Sequence, residues 1–171
     1  MLRVAHSRGL YRLTQFMAIT AGAIARGRRR GALDPRDAVA FGNDVATRIL
    51  SRLGITVSFT GERPSGLFLL VSNHRSYMDI PALMSAAPAI FLAKEEIRSW
   101  PLVGAAATMA QTIFVDRDSR PSRKRALAAI RSHLSTGIPI ALFPEGTTTR
   151  GPGALPFRPG SFWAAAKLGV P

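Results

Sequence analysis

With 171 residues, 47% of them hydrophobic, and a mean hydropathy of +0.12, the chain suits one compact domain with a real core, which excludes a disordered or fibrous protein. No Cys occurs, which excludes a disulfide framework, a thiol nucleophile and a cysteine-ligated metal centre. The 23 basic residues, 20 Arg and 3 Lys, stand against 10 acidic ones for a formal net charge of +13, so an anionic partner is expected: nucleic acid, an anionic membrane surface or a phosphorylated substrate.

Residues 1–33 contain no acid and carry Arg3, Arg8, Arg12, Arg26, Arg28, Arg29 and Arg30. At helical spacing Leu10, Leu13, Met17, Ala21 and Ile24 fall on one face and Arg8, Arg12 and Gln15 on the other, the pattern of an amphipathic helix lying in a membrane interface. The longest uncharged stretch, Leu13 to Ala25, is 13 residues, whereas a spanning helix needs about 20 apolar ones, so a transmembrane span is rejected. Two other readings stand beside interfacial contact. One is a secretory signal ending near Ala23-Ile24-Ala25, and the other a helix that packs its apolar face on the domain's own core.

Asp34-Pro35-Arg36-Asp37 reads as a helix start, followed by the apolar face Val39, Val45, Ile49, Leu50 and Leu53 and a stop at Gly54. Short β-branched runs then alternate with helical patterns. Strands are expected over Ile55–Thr60, Leu67–Ser72, Ala89–Ala93, Thr112–Val115 and Pro139–Phe143, with helices over Ile80–Ala86, around Pro101–Ala110 and over Arg123–Ser135. This alternation predicts an α/β domain, a mostly parallel central sheet flanked by helices, over residues 55–171, preceded by a basic, helical, membrane-associating region over residues 1–54. Leu168-Gly169-Val170-Pro171 stands where a further buried strand would begin, so the C-terminal part of the domain is expected to be missing.

Three strand ends carry chemistry. In LLVSNHRSYMD, Leu69 to Asp79, His74 directly follows a buried strand and Asp79 lies five residues on, where a helical turn can bring its carboxylate to the imidazole. A carboxylate on one ring nitrogen leaves the other as a base at neutral pH. The same spacing also fits a capping box, Ser76-x-x-Asp79, in which Asp79 only ties off helix amides. In ALFPEGTTTR, Ala141 to Arg150, Gly146 permits close backbone approach, and the following amides, hydroxyls and Arg150 suit an anion, although the loop is no P-loop. In TIFVDRDSR, Thr112 to Arg120, Arg117 at a strand end could fork onto a phosphate or pair with a neighbouring Asp. His6 and His133 read as solvated, and no His, Cys or carboxylate cluster has metal-ligand spacing.

The ordered set NHxSxxD (73–79), IFVDR (113–117) and FPEGT (143–147) closely resembles the 1-acylglycerol-3-phosphate acyltransferases and the wider glycerophospholipid acyltransferase family. GITVSFTGERP (54–64), Lys94-Glu95 followed by Pro101 and Gly104, and PFRPGSFWAA (156–165) extend the likeness over about residues 45 to 171. The resemblance implies acyl transfer from a thioester, acyl-CoA or acyl carrier protein, to the free hydroxyl of a lysophospholipid, with no covalent acyl-enzyme. His74 would be the general base and Asp79 its orienter. Arg117, Glu145 and Gly146 would fall in the acceptor-phosphate site, supported by Thr147, Lys94 and Arg158. A carboxylate repels a phosphate dianion, so Glu145 is expected to orient Arg117 or a backbone amide. A fourth family motif, an apolar run with a Pro, would start at Val170-Pro171.

The acceptor expected first is 1-acylglycerol-3-phosphate, giving phosphatidate, with another lyso-lipid such as a lyso-aminolipid as the alternative. An activated thioester needs only a base, alignment and oxyanion donors, so neither metal nor cofactor is expected beyond the thioester co-substrate. A different class, a basic protein that binds nucleic acid or a membrane surface without catalysis, fits the charge. However, the aromatics lie mostly in apolar runs rather than among the basic residues, so no nucleic-acid partner is expected. The expected location is peripheral, on the cytoplasmic face of an anionic membrane.

Overall fold

The structure, a computed structural model, describes residues 3–151 and 153–171, with side chains from Gly9 onward except at Ser161, Ala164 and Leu168. The roles expected for Arg3, His6 and Arg8 lie outside the described side chains. The chain runs α1 (Arg3–Arg30), α2 (Pro35–Leu53), β1 (Leu69–Val71), α3 (Asp79–Ala86), β2 (Ile90–Lys94), a 3-10 turn (Glu95–Ser99), α4 (Val103–Met109), β3 (Ile113–Val115), α5 (Arg120–Ser135), β4 (Ile140–Leu142) and α6 (Gly160–Leu168).

The four strands form one sheet in the order β1-β4-β2-β3, and every pair is parallel. Successive side chains of a strand point to opposite faces, and the core divides accordingly. Ile90, Ile140 and Leu142 face α5, where Ala126, Ile130 and Leu134 complete the cluster. The intervening Phe91 and Ala141 face the other way, onto Ala46 of α2 and Met84 of α3. Ile90, Ile130, Leu134 and Ile140 are almost wholly buried, each contributing about 1.5–3 kcal/mol of apolar burial. The expected α/β sheet is therefore present, with helices on both faces.

Helix α2 starts and stops as its sequence dictates. Asp34 accepts the Arg36 and Asp37 amides at 2.8 Å, and Gly54, left-handed at φ 67°, closes the C-terminus. Helix α1 packs on α2 through Phe16, Ile19 and Ala23, against Phe41, Val45 and Ile49. This differs from the apolar face read off the sequence: Leu10, Leu13, Met17 and Ala21 are exposed, and only Ile24 of that set is buried. The helix thus carries two apolar faces, and the one formed by Phe16, Ile19 and Ala23 packs on α2.

Two further expectations are corrected. Residues 55–60 form no strand; Ile55, Val57 and Phe59 alternate as a strand would, yet all of 55–66 is exposed. A period-two pattern becomes a strand only when a neighbour supplies pairing, and no described strand lies beside it; the outer side of β1 is instead met at Leu69 by the Pro171 carbonyl, 2.8 Å away. His133, expected to be solvated, is half-buried near the end of α5, and burial lowers its pKa from the usual histidine value.

Candidate active site

Because all four strands run parallel, their carboxyl ends share one edge of the sheet, and the loops that follow β1 and β4 are neighbours. His74 lies three residues after β1, Glu145 three after β4, Arg117 two after β3, and Lys94 closes β2. One edge therefore gathers all three sequence motifs.

The His74 Nδ1 sits 2.9 Å from Asp79 Oδ2, with both side chains largely shielded from solvent. The same Oδ2 accepts the Arg75 amide at 2.7 Å and the Ser76 amide at 2.8 Å. The pairing and capping readings of this spacing thus coincide in one atom, with the tied amides preceding α3 rather than lying inside it. Burial alone would raise the Asp79 pKa. The Ser76 amide, the His74 ring, the Arg75 amide and the nearby His74 charge together outweigh it and hold the carboxyl below its ordinary value. The other ring nitrogen, Nε2, has no hydrogen-bond partner among the described residues.

The loop after β4 clamps the His74 peptide. Glu145 Oε1 accepts the His74 amide at 3.3 Å, a long bond, while the Thr149 amide donates to the His74 carbonyl at 2.9 Å. Glu145 is 5% exposed, and its Oε2 is buried with no partner among the described residues. The backbone amide expected for Glu145 is therefore that of His74. Arg75 adds a hydrogen bond to the Gly151 carbonyl.

Gly146, buried and left-handed at φ 80°, is where two cations meet. A Cβ there would lie 2.6 Å from Arg117 Nη1 and 3.4 Å from Arg158 Nε. Arg117 donates to the Gly146 carbonyl, and the Arg158 amide donates to the Pro144 carbonyl at 3.0 Å. Arg117 forms no ion pair among the described residues, contrary to its pairing alternative. Burial and then Arg158 push its pKa below the usual arginine value, with Glu96 opposing them. Two guanidinium groups without a bonded carboxylate can hold a dianion. Lys94 and Thr147 are exposed, with no side-chain hydrogen bond or ion pair among the described residues; they share the edge without joining the two guanidiniums beside Gly146. Nor do three His, Cys, Asp or Glu side chains converge, among the described residues, to hold a metal ion.

Sequence reasoning missed Phe143, whose ring stacks on His74 with centroids 3.9 Å apart and planes 14° from parallel. Its only signal was position, as the last apolar residue before Pro144-Glu145-Gly146. Tyr77, also missed, sets its ring edge-on to His74 at 6.4 Å and against Trp100 at 5.7 Å.

The Acyltransferase family matches residues 54–171, more than half of the chain. A 1-acyl-sn-glycerol-3-phosphate acyltransferase of Neisseria gonorrhoeae is 38% identical over 109 residues, covering 64% of this chain and 42% of that protein. Lyso-ornithine lipid O-acyltransferases of Brucella abortus and Pseudomonas aeruginosa are 39% and 40% identical, covering 69% and 72% of this chain and 45% and 47% of theirs. The chain thus spans less than half the length of each of these relatives. The crystal structure of the 1-acyl-sn-glycerophosphate acyltransferase from Thermotoga maritima superposes with a TM-score of 0.75 at 27% identity, covering 97% of this chain and 72% of that one. With three motifs on one sheet edge, a family match over the whole α/β region and the same fold in a solved member, the chain belongs to the glycerophospholipid acyltransferases.

Proposed function

We propose that the protein transfers a fatty acyl group from a thioester, acyl-CoA or acyl carrier protein, to the free hydroxyl of a lysophospholipid, 1-acylglycerol-3-phosphate first among the candidates. The observation that carries this reading is the His74–Asp79 contact of 2.9 Å, set on the same edge as the Arg117–Arg158 pair. Asp79 holds Nδ1 and thereby fixes the proton there, leaving Nε2 to accept the proton of the acceptor hydroxyl. That oxygen attacks the thioester carbonyl, the new C–O bond forms, the C–S bond breaks, and the leaving thiolate takes the proton back from His74. Arg117 and Arg158 bind the anionic headgroup and orient the hydroxyl toward His74. Glu145 acts through the His74 peptide rather than on phosphate. Lys94 and Thr147, exposed at the rim, are assigned as outer contacts to the acceptor.

The relatives named for lyso-ornithine lipid are as similar as the one named for the phosphate-bearing acceptor, and this favours a second reading in which the acceptor is a lyso-aminolipid. A carboxylate headgroup would meet the same two guanidiniums. The deciding experiment gives the full chain labelled acyl-CoA or acyl carrier protein with lysophosphatidate or a lyso-ornithine lipid, alongside His74→Ala. Transfer to one acceptor that His74→Ala abolishes, with the fold intact, supports the reading; near-normal turnover by His74→Ala overturns it.

No described helix is long and apolar enough to cross a membrane. The exposed face Leu10, Leu13 and Met17 and the basic cluster Arg28-Arg29-Arg30 at the other end of α1 support peripheral docking on the anionic, cytoplasmic face of a membrane.

A further inference from the structure

The hydrogen bond to Asp79 fixes one point of the His74 ring. A ring tethered at Cγ and held by one hydrogen bond at Nδ1 can still tilt about its Cβ–Cγ bond, a broad torsion, and that tilt swings Nε2, the nitrogen facing the acceptor, away from the line of proton transfer. The one aromatic ring stacked on the His74 face among the described residues is that of Phe143, 3.9 Å away and within 14° of parallel. Phe143 is itself held: it follows β4 directly, packs onto the cluster of Ala46, Met84, Ala89, Phe91 and Ala141, and its ring lies 6.2 Å from that of the buried Phe91. Tyr77 meets His74 only edge-on and is exposed, so it cannot substitute for that surface.

We propose that Phe143 is a positioning residue for the base: its ring, fixed by the sheet's core, removes the tilt that Asp79 leaves free and holds His74 Nε2 aimed at the acceptor hydroxyl. The proposal rests on His74 being the base. It gives the loop after β4 a role in the proton transfer itself, with Phe143 on the ring and Glu145 and Thr149 on the peptide of the same residue. A near-attack geometry is sensitive to small displacements, so loss of the flat face acts on turnover more than on binding.

The test compares Phe143→Leu, which keeps apolar volume and loses the flat face, with Phe143→Tyr, which keeps the face, and with His74→Ala, all in the full chain. Phe143→Leu is expected to lower kcat about tenfold while leaving KM for donor and acceptor within about twofold, and Phe143→Tyr to recover most of the loss. Independently of activity, NMR of the unsubstituted chain should show the carbon-bound protons of the His74 ring shifted upfield by the stacked ring, assigned by their disappearance in His74→Ala. The shift should vanish in Phe143→Leu and persist in Phe143→Tyr. Phe143→Met serves as the aliphatic variant if Phe143→Leu does not fold, as read by thermal unfolding. The proposal is overturned by unchanged kcat in the aliphatic variant, by equal losses in the aliphatic and Tyr variants, by a rise in KM with kcat kept, or by the absence of the upfield shift. Turnover surviving in His74→Ala would instead overturn the base assignment, an outcome the NMR arm separates from failure of the stack.

Discussion

Asp79 Oδ2 accepts two loop amides as well as the His74 ring, so Asp79→Asn should show two separable losses. Turnover should fall by about a hundredfold or more, because an amide can hold the wrong histidine tautomer. Stability near neutral pH should fall by about 1–2 kcal/mol, because the acceptor shared by the His74 ring and two loop amides loses its charge. The folded-state pKa of Asp79 lies below its ordinary value, so its contribution is present above the unfolded carboxylate pKa of about 3.9 and fades as pH falls through the lower folded value. Unfolding curves of the two proteins should therefore converge in acid and separate as pH rises. A constant gap at all pH would contradict the assignment. At the neighbouring motif, if the guanidinium beside Gly146 and Arg158 serves the headgroup as proposed, Arg117→Ala should raise KM for an anionic acceptor about tenfold or more and leave that for the thioester near its starting value. An equal rise for both substrates would move Arg117 to the donor side.

Between elements, backbone comes closest to backbone, among the described glycines, at Gly104 of α4. A Cβ there would stand 2.1 Å from the Arg98 carbonyl oxygen and 2.8 Å from that of Ile97, both backbone atoms of the 3-10 turn. Backbone cannot swing aside as a side chain can, so Gly104→Ala should separate the turn from α4 at a cost of about 1–3 kcal/mol, lowering Tm by about 2–4 °C per kcal/mol in a calorimetric scan. Sequence alone offered Gly104 only as part of a family-like spacing; its contact is with a turn that no periodicity announces. The same division runs through the fold. Strands β2, β3 and β4 and helix α5 were legible because their apolar residues are buried on faces that the local pattern already marks. His74 and Asp79 were legible as neighbours because five residues and one turn bring them together. Ile55–Thr60 misled because alternation says nothing about whether a partner strand is present, and Phe143 was invisible because its contact with His74 crosses from β4 to β1, a pairing set by the sheet order.

Across the molecule, charge and exposed apolar surface share helix α1, with Leu10, Leu13 and Met17 ahead of the Arg cluster at its end. Residues 1–63 carry 11 basic and 4 acidic side chains, and Leu10, Leu13 and Met17 remain exposed on α1 at 64%, 56% and 36%. Removing residues 1–33 would be a poor test of membrane docking, because Phe16, Ile19 and Ala23 would be stripped from Phe41, Val45 and Ile49 along with the outer face. Substitutions confined to exposed positions are cleaner. Neutralising Arg28, Arg29 and Arg30 to Gln should cost about 1 kcal/mol each at an anionic surface, roughly a hundredfold in binding, and the loss should disappear in high salt as the Debye length shrinks. Replacing Leu10 and Met17 with Glu should weaken binding in high salt as well, because apolar burial of about 1.5–3 kcal/mol per side chain is not screened. Co-flotation of both variants with neutral and anionic vesicles at two salt concentrations separates the contributions. Binding that ignores vesicle charge, or that survives both sets of substitutions, would place the docking surface elsewhere on the molecule.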